Sequence, residues 1–85
     1  MEVAYTKKAK EDIAFWKNSG NKKIMAKISE LITVISQTPF EGIRKPESLK
    51  HNLTGCWSRR INQEHRIVYE IADNKILIHS LKGHY

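Results

Sequence analysis

The sequence predicts an α+β fold: a two-helix hairpin packed on one face of a small, mostly antiparallel twisted sheet, in the order β-α-α-β-β-β. Three observations predict it. Two neighbouring segments carry apolar residues at helical spacing. Three later segments alternate apolar and polar residues and are joined by turn residues. A short strand-like stretch opens the chain. Laying the helical pair on one side of the sheet buries both apolar sets together.

Residues 2–6, EVAYT, form the first strand. Thr6 is placed to cap a helix over about 7–18, where Ala9, Ile13 and Trp16 fall on one face. Asn18, Ser19 and Gly20 stop it. A second helix runs from about 21 to 37. Ile24, Ile28, Leu31, Ile32 and Ile35 make its stripe, and Lys22, Lys23, Lys27 and Glu30 lie largely off it. The short loop makes the pair antiparallel. Pro39 marks the end, because the residue before proline resists the helical region.

Residues 38–56 carry little periodicity. TPFEG reads as a turn, and IRKPESLKHNLTG as an irregular loop with a short strand or helical turn near Leu49–Asn52. Connections this long are often functional. WSRRI (57–61), HRIVYEIA (65–72) and KILIHSL (75–81) are the remaining strands. Asn62–Glu64 and Asp73–Asn74 are tight turns, so consecutive strands pair antiparallel. In HRIVYEIA, Ile67, Tyr69 and Ile71 are expected on the core side. Arg66, Val68 and Glu70 then lie on an open face. Phe15, Trp16 and Trp57 are expected to be packing residues.

The 85 residues read as a single domain, 1–85, without repeats or linkers. Fifteen Lys+Arg against nine Asp+Glu give a net charge of +6. Such a surface attracts polyanions, nucleic acid first, although solubility alone accounts for the charge equally well. The single cysteine, Cys56, excludes an internal disulfide and a cysteine-based zinc site, and reads as a small apolar filler. MEVAYTKKAKED lacks a signal-peptide core, and no apolar run approaches the roughly 18 residues of a membrane span. The expected location is cytoplasmic, with no membrane association.

The chemistry-bearing residues are scattered. His84 can give or take a proton near neutral pH, or it is only a solvated terminus. Tyr85 can stack on a base, or close a core edge. Glu47 lies among Arg44, Lys45 and Lys50, where a carboxylate stays ionised and can act as a base, or simply balances charge. Lys50 and His51 can hold phosphates, or are loop residues in water. Arg59, Arg60 and Arg66 lie on adjacent strands. Alternation sends Arg59 and Arg60 to opposite faces, so at most one shares the face of Arg66. A guanidinium there can hold a phosphate through paired hydrogen bonds, or can pair with Glu64 or Glu70. His65 and His79 show no metal-ligand spacing with His51 or His84, and no metal or cofactor is expected. Together the residues make a better case. Cleaving RNA needs a base for the 2′-hydroxyl, a cation for the phosphorane charge and an acid for the leaving oxygen. Glu47, Arg66 and His84 supply one of each.

The run TPFEGIRKPESLKHNLTGCWSRRINQEHRIVYEI and the terminal HY resemble the YoeB (Txe) toxins of the RelE superfamily over essentially the whole chain. The resemblance implies a microbial RNase-like fold. It implies the toxin of a type II toxin–antitoxin system, a metal-independent endoribonuclease that cuts mRNA in the ribosomal A site and so inhibits translation. It further implies a YefM-type antitoxin, homodimer formation and operator DNA binding by the toxin–antitoxin complex. By this likeness Glu47 is the general base, Arg66 stabilises the transition-state phosphate, and His84 protonates the 5′-oxygen. Tyr85 positions the RNA, and Lys50, His51 and Arg60 fall among substrate-contacting residues. The expected products are a 2′,3′-cyclic phosphate, later a 3′-phosphate, and a 5′-hydroxyl fragment. Two positions depart from the family pattern: Gly83 and Cys56 stand where relatives carry aromatics, and Gly83 is expected to loosen the placement of His84. Two other readings remain. One is a non-enzymatic toxin of the same fold, of the ParE gyrase-poison type, which lacks the Glu/Arg/His set. The other is a plain basic nucleic-acid-binding module.

Overall fold

The computed structural model describes residues 1–39, the backbone of 47–48, and residues 55–83. Five strands and two helices follow in the order β1 (Glu2–Tyr5), α1 (Lys7–Ser19), α2 (Lys22–Gln37), β2 (Glu47–Ser48), β3 (Trp57–Arg60), β4 (Arg66–Ala72) and β5 (Lys75–Ser80). The helices and the four longer strands are those the sequence predicts. The two-residue β2 is an addition. The strand or turn expected near Leu49–Asn52 lies outside the described residues.

Local chemistry accounts for each boundary. The Thr6 hydroxyl accepts from the Ala9 N–H and caps α1, and Gly20 closes that helix in the left-handed region at φ 71°. Asn21 caps α2 by accepting from the Ile24 N–H at 3.1 Å. Asp73 and Asn74 both take positive φ, 52° and 59°, as a two-residue hairpin turn requires. The Asn62 side chain accepts from the N–H groups of Glu64 and His65 and shapes the turn between β3 and β4.

The sheet order is β1-β5-β4-β3-β2. β1 runs parallel to β5, and the other pairs are antiparallel. The core lies between the sheet and the helices. Ala9 and Trp16 enter it from α1, and Ile24, Ile28, Leu31 and Ile35 from α2. Ile67, Tyr69, Ile76, Ile78 and Leu81 meet them from the sheet. Each fully buried large aliphatic side chain contributes about 1.5–3 kcal/mol, so the α2 stripe is what holds the hairpin down. Phe15 departs from expectation. It is 46% exposed, because its neighbour Trp16 takes the inward position on α1.

One irregularity matters for the site. Val68 pairs with Ser80 and Tyr69 with Ile78, leaving His79 as the extra residue of a bulge. The bulge resets the alternation of β5. Ile76 and Ile78 face the core, His79 turns to the opposite face to meet Glu70, and Leu81 returns to the core. The face away from the helices is also less open than expected at its centre. Ser58, Arg66, Val68 and Ser80 are all buried there. Among the described residues, no helix is long and apolar enough to cross a membrane.

Candidate active site

Arg66 is the fixed point of the site. It starts β4, is 7% exposed, and its Nε donates to the Ser58 hydroxyl at 3.0 Å. The register sets Arg60 directly opposite Arg66, on the same face and exposed to solvent. Arg60 is thus the arginine that shares the face of Arg66. Glu47, in β2, occupies the register position opposite Ser58, the residue that holds the Arg66 guanidinium.

Arg59 goes the other way, as alternation predicts, and ends fully buried on the core side. Its Nε donates to the Tyr69 hydroxyl at 3.2 Å, and one terminal nitrogen donates to the Thr38 carbonyl. The Tyr69 hydroxyl donates to the Pro39 carbonyl at 2.6 Å. This pair ties the exit of α2 to the middle of the sheet. Burial pushes the Tyr69 hydroxyl above its ordinary value, and the Arg59 guanidinium partly opposes that.

The last described residues are strapped down from two sides. Asp12, on the buried face of α1, accepts from the Leu81 N–H at 2.9 Å and from Lys8 Nζ at 2.8 Å. The Trp16 indole donates to the Leu81 carbonyl at 2.9 Å. His65 Nδ1 accepts from the Gly83 N–H, and the Arg66 N–H donates to the Gly83 carbonyl, each at 2.9 Å. Trp16 and His65 meet edge to face, with ring centres 4.8 Å apart. The Lys82 ammonium lies 4.1 Å from the centre of the exposed Phe15 ring. Gly83 has φ +89°, a conformation that side-chain-bearing residues rarely adopt. Its N–H and carbonyl are both engaged, and the looser placement expected of His84 falls outside the described residues.

Lys50, His51, His84 and Tyr85 lie outside the described residues, as does the side chain of Glu47. The structure therefore brings Arg60, Arg66 and the backbone of Glu47 and Gly83 into one region of adjoining strands. Four supporting residues escaped the sequence reading: Asp12, Trp16 in its bonding role, Ser58 and His65. Asp12 had a legible signal, a carboxylate on the helix face otherwise made by Ala9, Ile13 and Trp16.

Beside this region, Cys56, Glu70 and His79 form a second cluster. His79 Nε2 lies 2.7 Å from Glu70 Oε1, and the ligand atoms of all three residues lie within 4.8 Å of one another. Burial, with a smaller contribution from the Glu70 carboxylate, pushes the Cys56 thiol up. Cys56 is buried as expected, but it is not surrounded by apolar groups alone.

The fold is shared with solved structures of small bacterial toxins. The toxin YoeB/ParE of Agrobacterium tumefaciens superposes over the full length of both chains with a TM-score of 0.94 at 36% identity. The toxin of the YoeB–YefM complex from Staphylococcus aureus does so with a TM-score of 0.90 at 48% identity, over 100% of this chain and 98% of that one. Toxin YoeB of Escherichia coli is 46% identical over 85 residues, all of both sequences. Residues 5–85 match the family described as YoeB-like toxins of bacterial type II toxin–antitoxin systems. The chain belongs to that family.

Proposed function

We propose that the protein is a ribosome-dependent endoribonuclease that cuts mRNA in the A site and thereby halts translation. The observation that carries the reading is the pair of arginines set opposite each other on one face, Arg60 exposed and Arg66 buried and held by Ser58. A guanidinium can hold a phosphodiester through two parallel hydrogen bonds, and two on one face can grip neighbouring phosphate oxygens.

In this reading the Glu47 carboxylate takes the proton of the 2′-hydroxyl, whose oxygen attacks phosphorus. The Arg66 guanidinium, held rigid by Ser58, stabilises the charge that builds on the phosphoryl oxygens. His84 gives its proton to the departing 5′-oxygen, leaving a 2′,3′-cyclic phosphate and a 5′-hydroxyl end. The register position of Glu47 beside Ser58 supports its assignment. So does the covalent place of His84, one residue after Gly83, whose carbonyl bonds the Arg66 N–H. Arg60, Lys50 and His51 bind the flanking phosphates, and Tyr85 stacks on or positions the RNA.

The partner proposed for the chain is a YefM-type antitoxin, because the Staphylococcus aureus relative is solved as a YoeB–YefM complex. A homodimer is proposed on the same footing, from the YoeB dimer of that organism. Operator DNA binding by the toxin–antitoxin assembly completes the reading, and such a system works in the cytoplasm.

Primer extension on a message translated in vitro tests it. Wild-type protein is expected to yield new 5′ ends within codons on ribosomes. His84→Ala should slow cleavage by about 10²–10⁴-fold, the usual worth of a general acid. Equal cleavage by His84→Ala, or DNA breaks in place of truncated messages, would overturn the assignment.

A further inference from the structure

The Cys56, Glu70 and His79 cluster plays no part in the proposed cleavage, yet it brings together three different ligand chemistries. This runs against the sequence-based expectation that a lone cysteine excludes a cysteine-containing zinc site, because the fold supplies the other two donors from distant strands. Its residues come from three places. Cys56 immediately precedes β3, Glu70 lies in β4, and His79 is the extra residue of the β5 bulge. The β3–β4 register puts Trp57 opposite Tyr69, so Cys56 follows it to the position opposite Glu70. Without the bulge, His79 would be an ordinary strand residue opposite Val68. The bulge frees it from that pairing, and alternation from Leu77, the partner of Glu70, keeps its imidazole on the Glu70 face, 2.7 Å from the carboxylate.

We propose that Cys56, Glu70 and His79 form a binding site for a divalent transition-metal ion of the zinc class. A thiolate, an imidazole and a carboxylate are the donors that zinc prefers, and three protein ligands leave a fourth tetrahedral position to water. Zinc–ligand bonds of about 2.0–2.3 Å put tetrahedral donor atoms roughly 3.3–3.7 Å apart. The three donor atoms here lie within 4.8 Å of one another, and the His79–Glu70 pair at 2.7 Å. Opening that pair slightly and drawing in the sulfur completes the geometry through side-chain movements of about an ångström. An access route exists: the side chains of His79 and Glu70 are 30% and 33% exposed, while Cys56 closes the inner side at 6%.

The exchange balances simply. The Cys56 thiol releases its proton to solvent and its sulfur bonds the metal. The Nε2 proton that bridges to Glu70 moves by way of solvent to Nδ1, and the freed Nε2 lone pair becomes a ligand. Glu70, which repels a thiolate when no ion is bound, then neutralises the metal. The ion would clip the entry of β3, the middle of β4 and the bulge of β5 together. It would bind the folded chain far better than the unfolded one and so raise stability with concentration.

The test uses the full chain, without an affinity tag that binds metals, titrated with Co²⁺ as an optical probe and Zn²⁺ as a competitor. Wild type should take up one equivalent of Co²⁺ with a thiolate-to-cobalt charge-transfer band, lose that band to Zn²⁺, and melt at a higher temperature when Zn²⁺ is present. Cys56→Ala should lose the band, and His79→Gln and Glu70→Gln should each weaken Co²⁺ binding at least tenfold. If Cys56→Ala does not fold, the two half-exposed variants still decide the matter. No charge-transfer band in wild type would overturn the proposal. So would an undiminished Zn²⁺ effect on melting in Cys56→Ala, or Co²⁺ affinity unchanged in both His79→Gln and Glu70→Gln.

Discussion

Arg59 is fully buried beneath the sheet, and its neighbours explain how a guanidinium is tolerated there. It spends its donors on the Tyr69 hydroxyl and the Thr38 carbonyl, and Tyr69 in turn donates to the Pro39 carbonyl. The unfolded chain solvates all of these groups, so the network contributes only while it stays complete. Tyr69 makes the dependence measurable. Its hydroxyl is pushed up by burial, so it ionises less readily in the folded chain than in the unfolded one. The stability it contributes is therefore fully present below the ordinary tyrosine value of 10.0 and is lost as pH rises through the higher folded-state value. Urea unfolding at a series of alkaline pH values should show this loss in wild type and a smaller one in Tyr69→Phe. At neutral pH, Tyr69→Phe should cost about 1–3 kcal/mol, because it leaves the Pro39 carbonyl without its donor. Ser58 offers a second residue-level test. Its hydroxyl accepts from Arg66 Nε at 3.0 Å, so Ser58→Ala removes one of the bonds that orient the guanidinium. Cleavage on ribosomes should fall while substrate binding changes little, whereas a fall in binding alone would make Ser58 a mere packing residue.

The element that decides the proposed chemistry is the strap at residues 81–83. Asp12 and Trp16 grip Leu81 from α1, while His65 and Arg66 grip Gly83 from the start of β4. Helix and sheet thus converge on the segment that leads to His84. Among the described residues, nothing lies within 4 Å of a Cβ built on Gly83, and the restriction there is the backbone at φ +89°. Gly83→Ala should therefore cost about 1–2 kcal/mol of left-handed strain, relieved by shifting the tail. A shift of an ångström at a reacting group can cost about 100-fold in rate. Single-turnover cleavage by Gly83→Ala, measured well below its melting temperature, should drop by a large factor. An unchanged rate would show that the strap does not place the acid. The same element shows what could be read in advance. The α2 stripe, the Thr6 cap and the Asp73–Asn74 turn are local patterns, and local patterns survive into the fold. β2 has two residues and no period, so only its partner β3 defines it. The bulge escaped because it depends on which residue of β4 each residue of β5 meets. Its trace was present in KILIHSL, where the last apolar step, from Ile78 to Leu81, is three rather than two. The outward turn of Phe15 was equally hidden, since its neighbour Trp16 competes for the same core and wins by bonding Leu81. Of the candidate site, alternation made legible that at most one of Arg59 and Arg60 shares the face of Arg66, and only the register makes it Arg60. The burial of Arg66 was not, because it comes from neighbours on other strands.

For the whole molecule the governing quantity is a net charge of +6 on 85 residues. Charge of this sign draws any polyanion, and by itself it does not separate a nuclease from a passive binder. The two differ in how affinity and chemistry respond to single residues. Each phosphate neutralised on single-stranded nucleic acid contributes about −0.7 to the slope of log affinity against log salt, through release of bound counterions. Arg60 is exposed and stands opposite the buried Arg66, so its contribution should be of that electrostatic kind. Arg60→Gln is therefore expected to weaken binding to a short RNA and flatten the salt slope by about 0.7. Its cleavage should recover at low salt or saturating RNA. Glu47→Gln should do the reverse: the slope steepens slightly or stays the same, because a negative charge near the RNA is gone, while cleavage on ribosomes falls by about 10²–10⁴-fold at any salt. Fluorescence anisotropy across a salt series, paired with primer extension on the same preparations, reads both quantities. A passive binder predicts that the two variants differ only in affinity, and that neither wild type nor variant produces new RNA ends. A nuclease predicts the crossed result, binding lost in one variant and chemistry in the other, and only a site that both grips and reacts with one phosphodiester produces it.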